Sequence, residues 1–509
     1  MNVAGNLVKK SIGLVQQLDR QKRGPLFSQM RTLQNLLKKA EFTEFGQAYH
    51  FSDILRSANP LAAFQDMVPV HTYDKIFEEW WNRSLAGELN IAWKGRVKYF
   101  ALSSGTAGAT SKYIPITQDL TRSMRQAGLR MYACLPKYDL PTDLFVKDWL
   151  MIGGSASLKL VGKAQVGDLS GINAKRPPFW LRKFYKPGRQ VAKLQNWDER
   201  TEIIARNAPK WDIGIIAGIP SWVQLTLERV IEYHGLDNIH QIWPNLQVFV
   251  TGGIAFEPYR KGFEKLLAHP LIYQDTYLAS EGFIAFQDRP ETPAMKMVLG
   301  NGIFYEFIPF NENNFDANGE VVAFPQVLTI DEVEENTDYA VVITTCGGAW
   351  RYLIGDTVRF VDKQRCEIVI SGRTKHFLSL CGEHLSVDNM DQAVSQVEST
   401  LDIEIREYLV SGVEANGHFA HRWYVGCDQK VDPTRLAQAL DEQLKAVNDD
   451  YATERTAMLQ EIELHVVPSR LFQEWQRETG KLNGQSKIPR VMKGQRFQDW
   501  EKFVKLRQS

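Results

Sequence analysis

The 509-residue sequence predicts an α/β chain: a large N-terminal α/β domain over residues 1–371 carrying a β-rich subdomain, and a small, mobile α+β domain over 372–509. Three observations predict it. Apolar runs that read as buried strands alternate with helical patterns up to Tyr273, as in layered α/β folds. From Met295 onward the texture changes to short strands separated by turns. Beyond Ser371-Gly-Arg-Thr-Lys375, which reads as a turn, helix and strand signals are packed closely.

Composition narrows the class. A chain of this length with 44% apolar residues can bury large cores in two or more domains. Sixty basic residues balance sixty acidic ones, so no global field attracts nucleic acid, and none is expected as a partner. The five cysteines lack the spacing of a disulfide framework or a zinc site, which fits a reducing cytoplasm. No leader pattern and no membrane-length apolar run are visible, because the longest candidate, Ile213 to Leu227, contains Pro220, Ser221 and Gln224. A soluble chain without stable membrane association is expected.

In chain order, Val8, Ile12 and Val15 share one face of a basic N-terminal segment, read as a surface helix. Val97 to Leu102 reads as a strand, Leu120 to Cys134 as a helix, and the Gly/Lys/Pro-rich stretch from Gly153 to Pro187 as an irregular surface excursion over a site. A helix near Asp198 to Ala208, a strand at Trp211 to Ile219, a helix from Ser221 to His234 and a strand at Leu246 to Val250 follow. The β-rich part comprises Gly302–Ile308, Glu320–Phe324, Tyr339–Thr345, Asp356–Val361 and Cys366–Ser371. In the C-terminal domain, Asp432-Pro433 caps a helix with Leu436, Leu440, Leu444 and Val447 on one face. Leu464–Val467 and Arg470–Glu478 continue it as strand and helix.

One stretch concentrates donors, Leu102-Ser-Ser-Gly-Thr-Ala-Gly-Ala-Thr-Ser-Lys112. Gly105 and Gly108 let backbone N–H groups turn toward a ligand, and Ser103, Ser104, Thr106, Thr110 and Ser111 add hydroxyls, the chemistry of a polyphosphate cradle. It matches neither a Walker A loop nor G-x-G-x-x-G, and a flexible Ser/Gly linker is the competing reading. Glu281, beside Ser280 and Gly282 at a strand end, could hold Mg²⁺ against phosphate, or could be a solvated loop charge. Asp356, after Gly355, could accept from the vicinal hydroxyls of a ribose, or form an Asx turn. Lys112 and Lys487 follow glycine-rich segments and could neutralise charge developing on a transferred group. Serine-hydrolase and zinc-protease motifs are absent.

Taken together, Ser103-Ser-Gly-Thr-x-Gly-x-Thr-x-Lys-Tyr-Ile-Pro115, Tyr277-Leu-Ala-Ser-Glu281, Gly302 to Pro309, Val342 to Thr345 and Tyr352 to Asp356 resemble the Gretchen Hagen family of acyl-acid-amido synthetases. Leu471 to Trp475 and Lys487-Ile-Pro-Arg490 resemble it too, so the similarity covers nearly the whole chain. The resemblance implies the adenylate-forming enzyme fold, ATP and Mg²⁺, a small-molecule carboxylic acid, and an amino acid or other amine as acceptor. It implies that Ser103, Ser104, Gly105 and Thr106 contact phosphates and that Thr251, Gly252, Gly253, Tyr277 and Ser280 lie at the nucleotide. Glu281 would bind Mg²⁺ and Asp356 the ribose, with Arg373 at the hinge. Ala279 replaces a serine usual in the second motif, and Gly382-Glu-His384 stands where plant members carry an ATP-contacting lysine. The hinge-like Gly372-Arg-x-Lys375 also resembles acyl-CoA ligases of the wider superfamily. Two further readings are an acyl-CoA ligase and a non-catalytic nucleotide-binding protein.

Overall fold

The computed structural model describes residues 24–508 except 104–111, 175–182, 195, 254–255, 291, 317–318, 375–376, 379–384, 416–417, 449–450, 453–454, 456–458, 461 and 480–487. The basic N-terminal segment carrying Val8, Ile12 and Val15 lies outside the described residues, as do Ser104, Gly105, Thr106, His384 and Lys487.

The strands are β1 (Tyr99–Ser103), β2 (Lys112–Ile116), β3 (Asp148–Ile152), β4 (Lys159–Val161), β5 (Ala164–Gly167), β6 (Tyr185–Lys186), β7 (Ile213–Gly218), β8 (Val248–Gly252), β9 (Ile272–Ala279) and β10 (Gly282–Phe286). Then come β11 (Met295–Met297), β12 (Ile303–Pro309), β13 (Asp338–Thr345), β14 (Tyr352–Asp362) and β15 (Glu367–Arg373). An 11-stranded sheet runs β12-β13-β14-β15-β11-β10-β9-β8-β7-β3-β6. Its β9-β8-β7-β3-β6 half is parallel and the rest antiparallel. The β-rich stretch expected from Met295 is therefore present, and its strands extend the same sheet. Val248 and Val250 pack into one apolar cluster while Phe249 between them packs into another, so the parallel half is covered on both faces. A second, four-stranded sheet, β2-β1-β5-β4, stands beside it.

Helix bounds follow from local chemistry. The helix α1 (Gln118–Cys134) starts where the Thr117 hydroxyl accepts from Leu120 N–H, and α2 (Trp197–Asn207) where the Asn196 side chain accepts from Glu199 N–H. The helix α3 (Pro220–His234) has proline in its first turn and stops at Gly235 with φ +63°, a conformation that favours glycine. Three expectations fail. Glu320–Phe324 makes only the isolated bridge Phe315↔Val321; Pro325 follows without an N–H to donate, and Phe324 is 96% exposed. Ser371–Arg373 is strand rather than turn, because β14 offers partners through Asp356↔Arg373 and Thr357↔Gly372. The stretch Gly153–Pro187, expected to be irregular, contributes β4, β5 and β6 and a short helix at Leu169–Ala174.

Beyond the large sheet, a hairpin of β16 (Phe377–Leu378) and β17 (Leu385–Ser386) precedes α4 (Val387–Leu401) and the three-stranded sheet β18 (Glu407–Ala415), β19 (His418–Gly426) and β20 (Glu463–Val467). Helix α5 (Pro433–Val447) turns Leu436, Leu440 and Leu444 into this smaller domain's core beside Tyr408 and Trp423. The domain rests on the helix at Glu257–Glu264. There Tyr259 O–H donates to Glu407 Oε1 at 2.7 Å, Lys261 Nζ to Asp402 at 2.9 Å, and Arg406 pairs with Glu228 of α3 at 3.3 Å. No described helix is long and apolar enough to cross a membrane, and the four described cysteines are free and buried.

Candidate active site

A cavity of about 2180 Å³ opens between the carboxyl ends of the parallel strands, the four-stranded sheet and the smaller domain. Ligands of open α/β sheets bind at such strand ends. Lys112, Thr251, Gly252, Gly253, Tyr277, Ser280, Glu281, Asp356 and Arg373 all line it.

The strands β1 and β2 flank the hydroxyl-rich stretch in sequence. Ser103 pairs with Lys112 at its base, and residues 104–111 between them lie outside the described residues. Lys112 Nζ sits 5.2 Å from the centre of the Tyr73 ring, and Tyr73 O–H in turn accepts from Tyr113 N–H at 2.8 Å. Ala279 pairs with Gly282, so Ser280 and Glu281 form the two-residue turn joining β9 to β10. That turn points inward: Glu281 is 6% exposed. Burial raises its carboxyl pKa, and the Lys112 ammonium opposes that rise.

Asp356 follows Gly355, whose φ of +92° favours glycine, and is held from two sides. Tyr277 O–H donates to Asp356 Oδ2 at 2.7 Å, and Arg373 Nε donates to Oδ1 at 2.7 Å. Burial first, then the Asp356 charge, pushes the Tyr277 phenol well above its ordinary value, so the hydroxyl remains a donor. Tyr277 thus lines the cavity and also holds Asp356 in place.

At the end of β8, Thr251 is 1% exposed and its Oγ1 has no hydrogen-bond partner among the described residues, while its carbonyl accepts from Thr276 Oγ1 at 2.8 Å. A Cβ at Gly252 would lie 2.3 Å from Thr276 Oγ1, and Gly253 has φ +87°, so the Gly-Gly turn brings backbone close to the cavity. A buried orphan hydroxyl at a cavity wall fits a polar ligand. On the next strand Asp275 is pushed up to about 7 by burial.

For a metal, Glu281 supplies one hard oxygen, and among the described residues no three His, Cys, Asp or Glu converge. That set fits Mg²⁺, which keeps waters and is held by one or two carboxylates plus substrate phosphates.

Sequence reasoning missed Arg490, which is buried under Tyr408 and paired with Glu407 at 2.7 Å and Asp391 at 3.5 Å; its position in the Lys487-Ile-Pro-Arg490 motif was the available signal. It also missed Asp168 and Arg200 in the cavity wall, for which no short motif exists.

The fold is that of the adenylate-forming ligases. A 2-hydroxyisobutyryl-CoA ligase superposes with a TM-score of 0.55 at 14% identity, over 94% of this chain and 90% of its own. A GH3.15 acyl acid amido synthetase superposes with a TM-score of 0.78 at 16% identity, over 98% and 96%. The chain belongs to the GH3 family: residues 14–208 match its N-terminal domain, 296–373 its central domain and 388–496 its C-terminal domain. A probable indole-3-acetic acid-amido synthetase of Oryza sativa subsp. japonica is 25% identical over 281 residues, 50% of this chain and 62% of the relative. A jasmonoyl-L-amino acid synthetase of Nicotiana attenuata is 32% identical over 138 residues, 26% of this chain and 22% of the relative. The aligned segments thus cover less than two thirds of these curated relatives.

Proposed function

We propose that the chain uses ATP to activate a small carboxylic acid as its acyl-adenylate and transfers the acyl group to an amine, an amino acid being the favoured acceptor. The observation that carries this reading is the convergence on one cavity of Lys112 at the base of the β1–β2 hairpin, the buried Glu281 turn, the Tyr277–Asp356–Arg373 cluster and the orphan Thr251 hydroxyl. Membership of a family whose similar members bear amido-synthetase names supports it.

In this mechanism the loop from Ser103 through Ser104, Gly105 and Thr106 wraps phosphate oxygens, and the Gly252-Gly253 turn and Tyr277 face the nucleotide. Asp356, its charge balanced by Arg373, accepts from ribose hydroxyls. Glu281 holds Mg²⁺, which when bound offsets phosphate charge and orients the leaving group. Lys112 adds a cation at the base of the loop. The acid's carboxylate attacks the α-phosphate, pyrophosphate leaves, and the amine then displaces AMP from the acyl carbon. We place the domain boundary near Gly372 and assign Lys487 and His384 to the smaller domain's contribution, with Lys487 stabilising charge when that domain closes. Buried free thiols suit a reducing cytoplasm.

The test is Mg²⁺-dependent exchange of labelled pyrophosphate into ATP across a panel of carboxylic acids. At least one acid supports exchange, and Glu281→Gln lowers it by about 100-fold. No exchange with any acid from folded protein defeats the reading. Products formed from mixed coenzyme A and amino acids, read by mass spectrometry, separate amide from thioester chemistry.

A further inference from the structure

In the wall of the same cavity, Arg200 is only 3% exposed yet pairs with no carboxylate among the described residues. Its Nη1 donates to the Gly153 carbonyl at 2.6 Å, its Nε has no partner among the described residues, and its guanidinium lies 5.7 Å from the Trp197 ring centre. A buried charge is ordinarily paired, so a guanidinium given only one neutral acceptor in a cavity wall is a site for an anion. Asp168 meets the same turn at Gly154. A Cβ at Gly154 would come 2.2 Å from Asp168 Oδ2, so the carboxyl is pressed against the Gly153-Gly154 backbone that Arg200 holds. Arg200 and Asp168 make no ion pair with each other, although the two charges feel one another. They flank the turn as a separated positive and negative pole.

Their position in the fold links this wall to the phosphate loop. The Gly153-Gly154 turn follows β3, whose Ile152 pairs with Gly218, which in turn pairs with Thr251. Asp168 follows β5, whose Gly167 pairs with Ala101, two residues before Ser103 and the loop. The poles therefore stand at the same strand ends as the nucleotide residues, reached from the side.

We infer that Arg200 and Asp168 form the acceptor subsite for an α-amino acid, with its carboxylate on Arg200 and its amine on Asp168. This rests on the amide-forming reading above and specifies its second substrate. A zwitterion matches two separated opposite poles, whereas pyrophosphate would meet Asp168 as a like charge. The acyl acid's own carboxylate becomes part of the adenylate, while the acceptor's carboxylate persists into product and needs a permanent cation. In the transfer step, one amine proton passes to Asp168 and the nitrogen attacks the acyl carbon. The C–N bond forms as the bond from that carbon to the phosphate oxygen breaks, AMP leaves with the electron pair, and the second amine proton goes to water. Burial, opposed by the Ser155 N–H and Arg200, raises the Asp168 carboxyl above its usual range, which suits a proton acceptor.

The experiment supplies the full-length enzyme with an acid that supports exchange and measures amide formation with each amino acid and with the amine that lacks its carboxylate. The wild type favours the best amino acid by about 100-fold in kcat/KM, the worth of a charge-assisted pair. Arg200→Gln collapses that ratio toward one, Arg200→Lys restores part of it, and Asp168→Asn slows both kinds of acceptor. Equal use of both acceptors by the wild type, or an unchanged ratio in Arg200→Gln, overturns the inference. If Arg200→Gln does not fold, the wild-type ratio and Arg200→Lys decide. Amide formation with an unaltered ratio defeats the subsite alone, whereas thioester as the sole product defeats the amide-forming reading.

Discussion

The two walls of the cavity treat their buried charges in opposite ways. Asp356 is met by a phenol and a guanidinium at 2.7 Å each, so its charge is balanced before any ligand arrives. Arg200 has one carbonyl and an idle Nε. A balanced carboxylate is suited to neutral hydroxyls, which add hydrogen bonds without bringing charge. An unbalanced buried cation instead awaits an anion, because its burial is costly until one is bound. On the proposed reading, the wall nearest the recognisable motifs is preorganised for the nucleotide, and the Arg200 wall is completed by the second substrate.

The largest expected effect breaks the balanced wall. Asp356→Ala raises KM for ATP in the exchange reaction by about 100-fold, since it removes a charged acceptor and leaves Tyr277 and Arg373 without their partner. Asp356→Asn, which keeps one carbonyl oxygen, loses less. Equal KM in wild type and both variants would show that this wall does not hold the nucleotide.

A smaller effect sharpens the rule that idle buried polar atoms mark ligand contacts. Thr251→Val keeps the shape and deletes the orphan hydroxyl, so KM for ATP rises by about 5-fold while Tm stays level or increases. A loss of Tm with unchanged KM would make the hydroxyl structural.

The smallest effect concerns Asp275, which lines the cavity from β9 and is pushed up to about 7 by burial. Its folded-state value is raised above the ordinary one near 4, so its favourable contribution is present below about pH 4 and is lost as pH rises to about 7. Asp275→Asn therefore gains Tm progressively from pH 4 to 7 and holds a constant gain of about 2 °C above that. Thermal unfolding at pH 4, 6 and 8 checks it; a gain independent of pH contradicts the burial argument.

Most of the elements and the motif-bearing wall were legible in local sequence signals. Periodicity, caps and turn residues act over a few neighbours, so the helix at Arg470–Glu478, the strand core around Val248–Gly252 and the turn carrying Glu281 could be read locally. Glu320–Phe324 shows the limit of such reading: its residues suit a strand, but a strand exists only where a neighbour supplies a ladder, and Val321 finds only Phe315. The same rule works in reverse at Ser371–Arg373, a turn by composition that β14 recruits into the sheet. Packing alone settles that β11 to β15 join the large sheet, that Tyr277 and Arg373 meet on Asp356, and that Arg200 and Asp168 both contact the Gly153-Gly154 turn. Those partners are far apart along the chain and belong to no short motif. Their chemistry arises from burial, which is a property of the packed chain and not of any residue type.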